Sequence, residues 1–191
     1  MTKPLIFRPA GPNTWNAFEA LFGAKGACGG CWCMLNRIRK KDVETGKGSA
    51  NRAAMKALFD DSASAGPGIL AFRDDQPIGW CSYGPRTSFP GLAKSRTFLP
   101  HGDLNAWVVT CLFIAKGHRG QGVATDLLRA TAEQAFANGA TALDGCPQEP
   151  KDGKMADVFA WMGTASAFRS AGFTEVARHA STRPVMRKTC R

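Results

Sequence analysis

At 191 residues, 44% of them hydrophobic and 21% charged, the chain is sized for a single domain with an ordinary core, which excludes wholesale disorder. Twenty-five Lys and Arg against fifteen Asp and Glu leave +10, an excess that suggests a polyanionic partner: nucleic acid, a membrane surface or a phosphorylated cofactor. No apolar run is long enough to span a bilayer, Met1–Ala10 lacks the apolar stretch of a signal peptide, and the seven cysteines are odd in number and unevenly placed, so reduced thiols in the cytoplasm are expected rather than a secreted disulfide scaffold.

Ile6-Phe7-Arg8-Pro9 reads as a short strand closed by Pro9 and Gly11-Pro12. Thr14 is placed to cap a helix to about Phe22, with Trp15, Phe18, Leu21 and Phe22 at helical spacing. Gly23 to Gly48 is rich in Gly, Cys and basic residues and is expected to be irregular. It holds Cys28-x-x-Cys31-x-Cys33, a close thiolate spacing that would still need another ligand for a metal. No second Cys or Cys/His pair follows at finger spacing, so no metal is expected; a structural or substrate-pocket loop packed around Trp32 and Met34 stands ahead of metal binding and of a redox or thiol-modification role. Residues 37–56 carry Arg37, Arg39, Lys40, Lys41, Lys47, Arg52 and Lys56 against Asp42 and Glu44, a net of +5.

Ser49 or Asn51 opens a second helix with Met55, Leu58 and Phe59 on one face, ended by Ser62–Pro67. Gly68–Arg73 and Pro77–Tyr83, separated by Asp74-Asp75-Gln76, read as a hairpin. Pro85 to Gly102 is a long loop whose Arg86, Lys94, Arg96 and His101 are placed either to meet an acidic acceptor or to face solvent. Ala106–Ala115 is the most apolar stretch and reads as a buried central strand. It runs into Lys116-Gly117-His118-Arg119-Gly120-Gln121-Gly122, then an amphipathic helix with Ala124, Leu127, Leu128, Thr131 and Ala135 on one face, stopped by Asn138-Gly139. Ala140–Asp144 follows as a strand, Gly145 to Lys154 as a loop, Thr164–Ala171 as a short helix, and Phe173–His179 and Pro184–Lys188 as two last strands. Residues 178–191 hold Arg178, Arg183, Arg187, Lys188 and Arg191 with no acid, another +5. Neither basic segment interleaves aromatics or fits a nucleic-acid reader motif, so no nucleic-acid partner and no membrane partner is expected. The order is that of an α+β fold with a mostly antiparallel sheet.

A buried strand, a glycine-rich turn and a helix start in immediate succession form an anion cradle. Glycines 120 and 122 carry no Cβ to block a ligand, successive N–H groups converge, and the helix N-terminus adds partial positive charge. No Gly-Lys-Ser/Thr follows, which excludes a Walker loop, and Gly117, Gly120 and Gly122 lack the order of a dinucleotide fingerprint. Arg119-Gly120-Gln121-Gly122-Val123-Ala124, after Leu112-Phe113-Ile114 and before Leu127-Leu128, resembles motif A of the GNAT N-acetyltransferase superfamily, Arg/Gln-x-x-Gly-x-Gly/Ala. Phe168-Arg169-Ser170-Ala171-Gly172-Phe173 is similar to that family's aromatic-x-x-x-Gly-Phe element. Gly30-Cys31-Trp32-Cys33-Met34 is similar to a feature of one of its subgroups. The resemblance is carried by about residues 66–191 and makes the whole chain a single GNAT-like domain.

The resemblance implies a mixed, mostly antiparallel central sheet flanked by helices, with a splayed central strand before the glycine turn. It implies acetyl-CoA or another acyl-CoA as cosubstrate, with no metal required. The backbone of Phe113 and Ile114 would pair with the pantetheine arm. Gly120 and the amides of Gln121, Gly122, Val123 and Ala124 would hold the diphosphate, with Arg119 on phosphate or bracing the turn. The acceptor would be an amine on a small molecule or a protein, attacking the thioester directly; an acyl-CoA sensor with little turnover is the alternative, and a homodimer is left open. Many relatives carry a tyrosine acid where this chain has Phe168. Its one tyrosine, Tyr83, is the candidate displaced acid, or else structural. Asp144, ending the strand after the cradle helix, is the candidate base, or else a strand-end carboxylate; Glu149 and Asp103 are weaker. Cys111 reads as a small buried hydrophobe and His118 as a phosphate-end charge, while His101 and His179 stay unassigned.

Overall fold

The protein is described by a computed structural model covering residues 4–61, 65–102, 105–150 and 161–190. Alternation of apolar residues sets seven strands: β1 (Ile6–Pro9), β2 (Gly68–Arg73), β3 (Gln76–Pro85), β4 (Trp107–Ile114), β5 (Ala142–Gly145), β6 (Thr174–Ala180) and β7 (Arg183–Thr189). Helical spacing sets α1 (Trp15–Phe22), α2 (Lys40–Thr45), α3 (Ser49–Asp60), α4 (Val123–Ala137) and α5 (Ala165–Ser170). The strands form one sheet in the order β1-β2-β3-β4-β5-β7-β6, and every neighbouring pair is antiparallel except β4 with β5.

The sheet is covered on both faces, which is why its central strands are apolar throughout. On one face α4 lays Val123, Leu127, Leu128, Ala132 and Ala135 against Ile69, Ile78, Val109 and Leu112, with Phe168 of α5 closing the end. On the other, α1 and α3 pack Trp15, Phe18, Phe22, Met55 and Phe59 around Trp80. The Phe18 ring lies 4.0 Å from Phe22 and 4.7 Å from Trp80, an offset and edge-on cluster of the kind aromatic quadrupoles favour.

One irregularity decides how β4 divides its side chains. Ser82 opposes Cys111 and Tyr83 opposes Val109, so Thr110 is an extra residue bulging from the ladder. The bulge resets the alternation. Val109, Leu112 and Ile114 face α4, whereas Cys111 and Phe113 face α1 and α3.

Three departures from the sequence reading have local causes. The stretch from Gly23 to Gly48 contains α2, whose Val43 is buried; Arg39 at its start donates to Asp42 at 2.7 Å. Thr14 does not cap α1: its hydroxyl accepts from the Gly11 amide at 3.0 Å, inside a short 3-10 turn at Pro12–Thr14. The loop from Pro85 to Gly102 is not merely solvated. It coils into 3-10 turns at Arg86–Ser88 and Pro90–Lys94 and buries Phe89, Leu92 and Phe98 against Val108, Cys146 and Val185. The ends of two expected loops, Ser62–Ser64 and 151–154, lie outside the described residues.

Asn51 ties the glycine- and cysteine-rich segment to α3. It is 1% exposed, and its Nδ2 donates to the Gly30 carbonyl at 3.1 Å and the Val43 carbonyl at 3.0 Å. Truncation removes one donor from each, although the Gly30 carbonyl keeps the Gly48 amide at 3.0 Å, and a typical lost hydrogen bond costs about 0.5–1.5 kcal/mol. Asn51→Ala is therefore expected to lower unfolding free energy by about 2 kcal/mol in urea denaturation, with an unchanged m-value; a loss under about 0.5 kcal/mol would show that the segment is held by other contacts.

Candidate active site

The site begins where β4 loses its partner. β4 and β5 pair in parallel only at Trp107–Leu143, Val108–Asp144 and Val109–Gly145, and among the described residues no strand pairs with β4 on that side from there to Ile114. Backbone direction alternates along a strand, so the Ala115 amide, which donates to Ile78 on β3, leaves Ile114 and Leu112 turned toward the gap. The Leu112 amide donates to the Trp161 carbonyl at 2.7 Å. Beyond it lies a cleft of about 400 Å³ lined by Leu112, Ile114, the turn at His118–Gly122, the first residues of α4, Trp161, Gly163 and the outer face of α5.

The upper end of the cleft is a cradle made of backbone. Gly120 and Gly122 take φ of +70° and +79°, the left-handed region that favours glycine, and a Cβ on either would meet nothing within 4 Å. The amides of Thr125 and Asp126 turn inward to the Gly122 carbonyl. Helix geometry leaves the amides of Gly122, Val123 and Ala124 without an intrahelical acceptor, so they point at whatever occupies the cleft. Side chains brace this turn. Arg119 Nε donates to the Ile114 carbonyl at 2.9 Å, and Gln121 accepts from Arg73 at 2.8 Å while donating to the Gly117 carbonyl at 2.9 Å. His118 Nδ1 stands 3.3 Å from Arg73 Nη1. The arrangement offers dipoles suited to an anion, at an open site.

Comparison with known proteins agrees with this geometry. Residues 34–158 match the model of the acetyltransferase (GNAT) family. The chain belongs to that family. It is an acetyltransferase with acyl-CoA as cosubstrate. Solved structures of the same fold include the PaiA N-acetyltransferase of Thermoplasma acidophilum in complex with coenzyme A (12% identity, 98% of this chain and 99% of that one, TM-score 0.54). Others are AAC(6')-Ib with paromomycin and acetyl-CoA (16% identity, 98% and 94%, TM-score 0.55) and YncA of Salmonella typhimurium with acetyl-CoA (14% identity, 97% and 93%, TM-score 0.52). No curated protein matches the sequence.

For a GNAT protein, the expected side chains fall in unexpected places. Ile114, Arg119, Gly120, Gly122, Val123 and Ala124 all line the cleft, and Gln121 braces it from outside. Phe113 does not reach it. Its backbone pairs with Trp80 on β3 and its ring sits 5.4 Å from Phe22 on the opposite face, because the bulge at Thr110 turns Leu112 and Ile114 inward in its place. Tyr83 is also not at the cleft. It is 1% exposed, 6.0 Å from the Trp107 ring, and borders a separate cavity of about 680 Å³ with Met34, Leu58 and Pro85. Its buried hydroxyl has no hydrogen-bond partner among the described residues, and burial pushes the phenol up, away from use as an acid near neutral pH.

Asp144 is likewise no free base. It is 2% exposed, and Arg187 clamps both its oxygens at 2.7 and 2.8 Å across the β5–β7 pair, so its lone pairs are taken by an ion pair. Glu149 accepts from Arg169 and Arg178, whose hydrogen bonds hold its carboxyl below the usual range. Asp103 lies outside the described residues. Phe168 is fully buried, packed so close to Gly145 that a Cβ there would run into its ring. The cleft wall next to it carries hydroxyls that single-sequence reading missed: Thr164, Ser166 and Ser170, with Thr164 Oγ1 3.1 Å from Ser166 Oγ and accepting from the Ala167 amide. The spacing Thr164-x-Ser166 before a short helix was the available signal.

The three clustered cysteines do not converge. Cys28 is exposed, Cys31 faces the Gly26 carbonyl at 3.8 Å, and Cys33 is buried against Trp80. Among the described residues no group of three His, Cys, Asp or Glu could hold a metal ion, and no helix is long and apolar enough to cross a membrane. The basic segments largely serve the protein itself: Arg39 pairs with Asp42, Lys47 with Glu44, Arg52 with Glu19, Lys56 with Asp60 and Arg178 with Glu149 and Glu175.

Gly122→Glu puts a side chain at a left-handed position and a carboxylate among donors meant for an anion. Acetyl-CoA affinity is expected to fall by about two orders of magnitude, about 2.7 kcal/mol, with a thermal shift on acetyl-CoA addition lost while the ligand-free melting temperature moves by only a few degrees. A wild-type thermal shift in this variant would remove the cradle from the binding site.

Proposed function

We propose that this acetyltransferase transfers an acetyl group from acetyl-CoA to a primary amine by direct attack in a ternary complex. The observation that carries the reading is the parting of β4 from β5 after Val109, directly below a backbone anion cradle. The diphosphate is held by the amides of Gln121 to Ala124, and the pantetheine arm runs along the Ile114 edge past Trp161 and Gly163. That course follows the cleft, and solved structures of this fold named as complexes with coenzyme A or acetyl-CoA support a ligand of this kind.

Thiolate is a better leaving group than an alkoxide, so the reaction needs a polarised carbonyl more than a strong acid. A backbone amide of β4, near the bulge at Thr110, supplies the dipole. Ser166 and Thr164 offer hydroxyl hydrogen bonds to developing charge on sulfur. Their own acidity is too low for full proton transfer, so the thiolate takes its proton from water. Among the described lining residues the only titratable side chains are His118 and Arg119, both at the phosphate end. The amine must therefore arrive neutral or lose its proton to water, which makes the rate rise with pH toward the pKa of the amine itself.

A second reading keeps acyl-CoA binding and drops efficient turnover: the protein is a sensor. What favours it is that no free carboxylate or phenol lines the cleft among the described residues, with Asp144 ion-paired and Tyr83 buried elsewhere. Release of free CoA thiol from acetyl-CoA in the presence of an amine panel separates the two. Transfer predicts thiol release matched one-to-one by acetylated amine, and faster at high pH. A thermal shift with acetyl-CoA but no amine-dependent release would support the sensor instead.

A further inference from the structure

On the sheet face away from α4, the loop from Pro85 to Gly102 roofs a second cavity, of about 400 Å³. Its floor is Val108 on β4 and Asp144 on β5, which oppose each other in the parallel ladder one pair before the strands part. Its walls are apolar, from Phe89, Pro90, Leu92 and Ala106. Thr110, the bulged residue, is two positions beyond Val108, about 7 Å along the strand. A molecule in this cavity therefore lies beside the parting of β4 and β5, on the face opposite α4. The roof is anchored. The Gly91 amide donates to the Asn36 carbonyl at 2.9 Å, and a Cβ on Gly91 would run into the Asn36 backbone at 2.7 Å. Arg37 lays its guanidinium 4.4 Å from the Phe89 ring. The glycine- and cysteine-rich segment, which takes no part in the cofactor cleft, thus holds this wall in place.

Arg86, Asp144 and His101 are the titratable side chains among the described lining residues. Asp144 is already engaged, since Arg187 holds both its oxygens. Arg86 is not. Its Nη2 donates to the Phe98 carbonyl and its guanidinium lies 4.9 Å from the Phe98 ring, which leaves Nη1 without a hydrogen-bond partner. Among the described residues no carboxylate bonds to it. Burial pulls the guanidinium down and the Asp144 charge nearby pulls it up, so it stays a cation at a desolvation cost that no ion pair offsets. The same loop adds exposed Lys94 and Arg96 and contains no acid. By contrast, Arg39, Lys47, Arg52 and Lys56 each have a carboxylate of the protein's own. A stacked planar cation with an unbonded N–H group, set in an apolar cavity, suits a carboxylate. One carboxylate matches its one charge, where a phosphate would bring more charge than a single guanidinium meets. A polycationic amine finds no free carboxylate among these residues.

We propose that this cavity is the acceptor subsite and that it selects an amine which also carries a carboxylate, with Arg86 binding the carboxylate while the amine faces the parting of β4 and β5. The assignment rests on the acetyl-transfer reading and names the class of acceptor for it. Arg86 Nη1 donates to the carboxylate, and the apolar body of the acceptor lies against Phe89, Leu92 and Val108. The neutral amine reaches the thioester from the face opposite α4. Its nitrogen attacks the carbonyl carbon, the C–S bond breaks, the nitrogen gives a proton to water and the thiolate takes one. One amine and one acetyl-CoA become one amide and one free CoA thiol. The carboxylate takes no part in bond making; it sets which amine is held long enough to react.

The test compares matched amines with and without a carboxylate, L-phenylalanine with phenethylamine and 4-aminobutyrate with butylamine, with spermidine as the polycation. In the better-accepted pair, KM for the carboxylate member is expected to be lower by about tenfold or more, the scale of a charge-assisted hydrogen bond. Arg86→Met should collapse that ratio toward one, Arg86→Lys should keep part of it, and Arg96→Gln on the same loop should leave it unchanged. Native circular dichroism and a retained acetyl-CoA thermal shift show that the Arg86 variants are folded. A second measurement needs no turnover: 3-phenylpropionate, which has the carboxylate and no amine, should raise the melting temperature of the wild type but not of Arg86→Met. A KM ratio near one in both pairs, a preference for spermidine, or a ratio that survives Arg86→Met overturns the proposal. So does a 3-phenylpropionate shift that is absent from the wild type or kept by Arg86→Met. Acetylation of phenethylamine, butylamine or spermidine without that selectivity would leave acetyl transfer standing and remove only the carboxylate subsite, so the two failures are distinguishable.

Discussion

A strand in the middle of a sheet has two edges of donors and acceptors, and each must be matched by a neighbour or by something else polar. β4 satisfies this along β3 for its whole length, but along β5 for only three residues. Everything functional follows from how the rest of that edge is handled. Trp161 answers for Leu112, Arg119 for the Ile114 carbonyl, and the stretch between is left to a ligand. Thr110 makes this arrangement workable. By bulging, it turns Leu112 and Ile114 to the α4 side and sends Cys111 and Phe113 to the other, so one strand serves the cofactor cleft and an aromatic core together.

The same economy governs charge. A chain with +10 invites the idea of an electropositive trough, yet the anion site is built from amides at the start of α4. Most of the basic side chains have other partners: carboxylates on the surface, where each pair adds little stability, and Asp144 in the interior, where removal of Arg187 would strand a buried charge. Arg37 stands apart. Its guanidinium bonds, among the described residues, to neutral acceptors alone: the Pro67 and Tyr83 carbonyls and the Ser82 hydroxyl. The cradle offers backbone dipoles rather than side-chain charge, so the excess charge does not mark the site.

How much of this is legible in the sequence depends on the range of the interactions involved. The cradle is local: a strand, two glycines and a helix start are contiguous, so Gly120, Gly122 and the amides after them can be read from one short stretch. The strand order and α4 follow from periodicity in the same way. The bulge at Thr110 is not local. It arises from the register between β3 and β4, and without it alternation assigns Phe113 to the cleft rather than Leu112. Asp144 is misread for the same reason, since Arg187 is 43 residues away and only the β5–β7 pairing brings them together. The place of Tyr83 likewise depends on which face a residue takes once strands are packed. Hydroxyls at Thr164 and Ser166 carry too little sequence signature to be singled out.

The central claim is that the orphan amides of the α4 start and the unpaired edge of β4 form one binding surface. Amide hydrogen exchange with and without saturating acetyl-CoA measures this directly. The account predicts slowed exchange at Gly122, Val123 and Ala124 and at Ile114, with the amides around Tyr83 and Pro85 unchanged. Protection confined to the cavity beside Tyr83, or no protection at the α4 start under conditions where acetyl-CoA is bound, would contradict it.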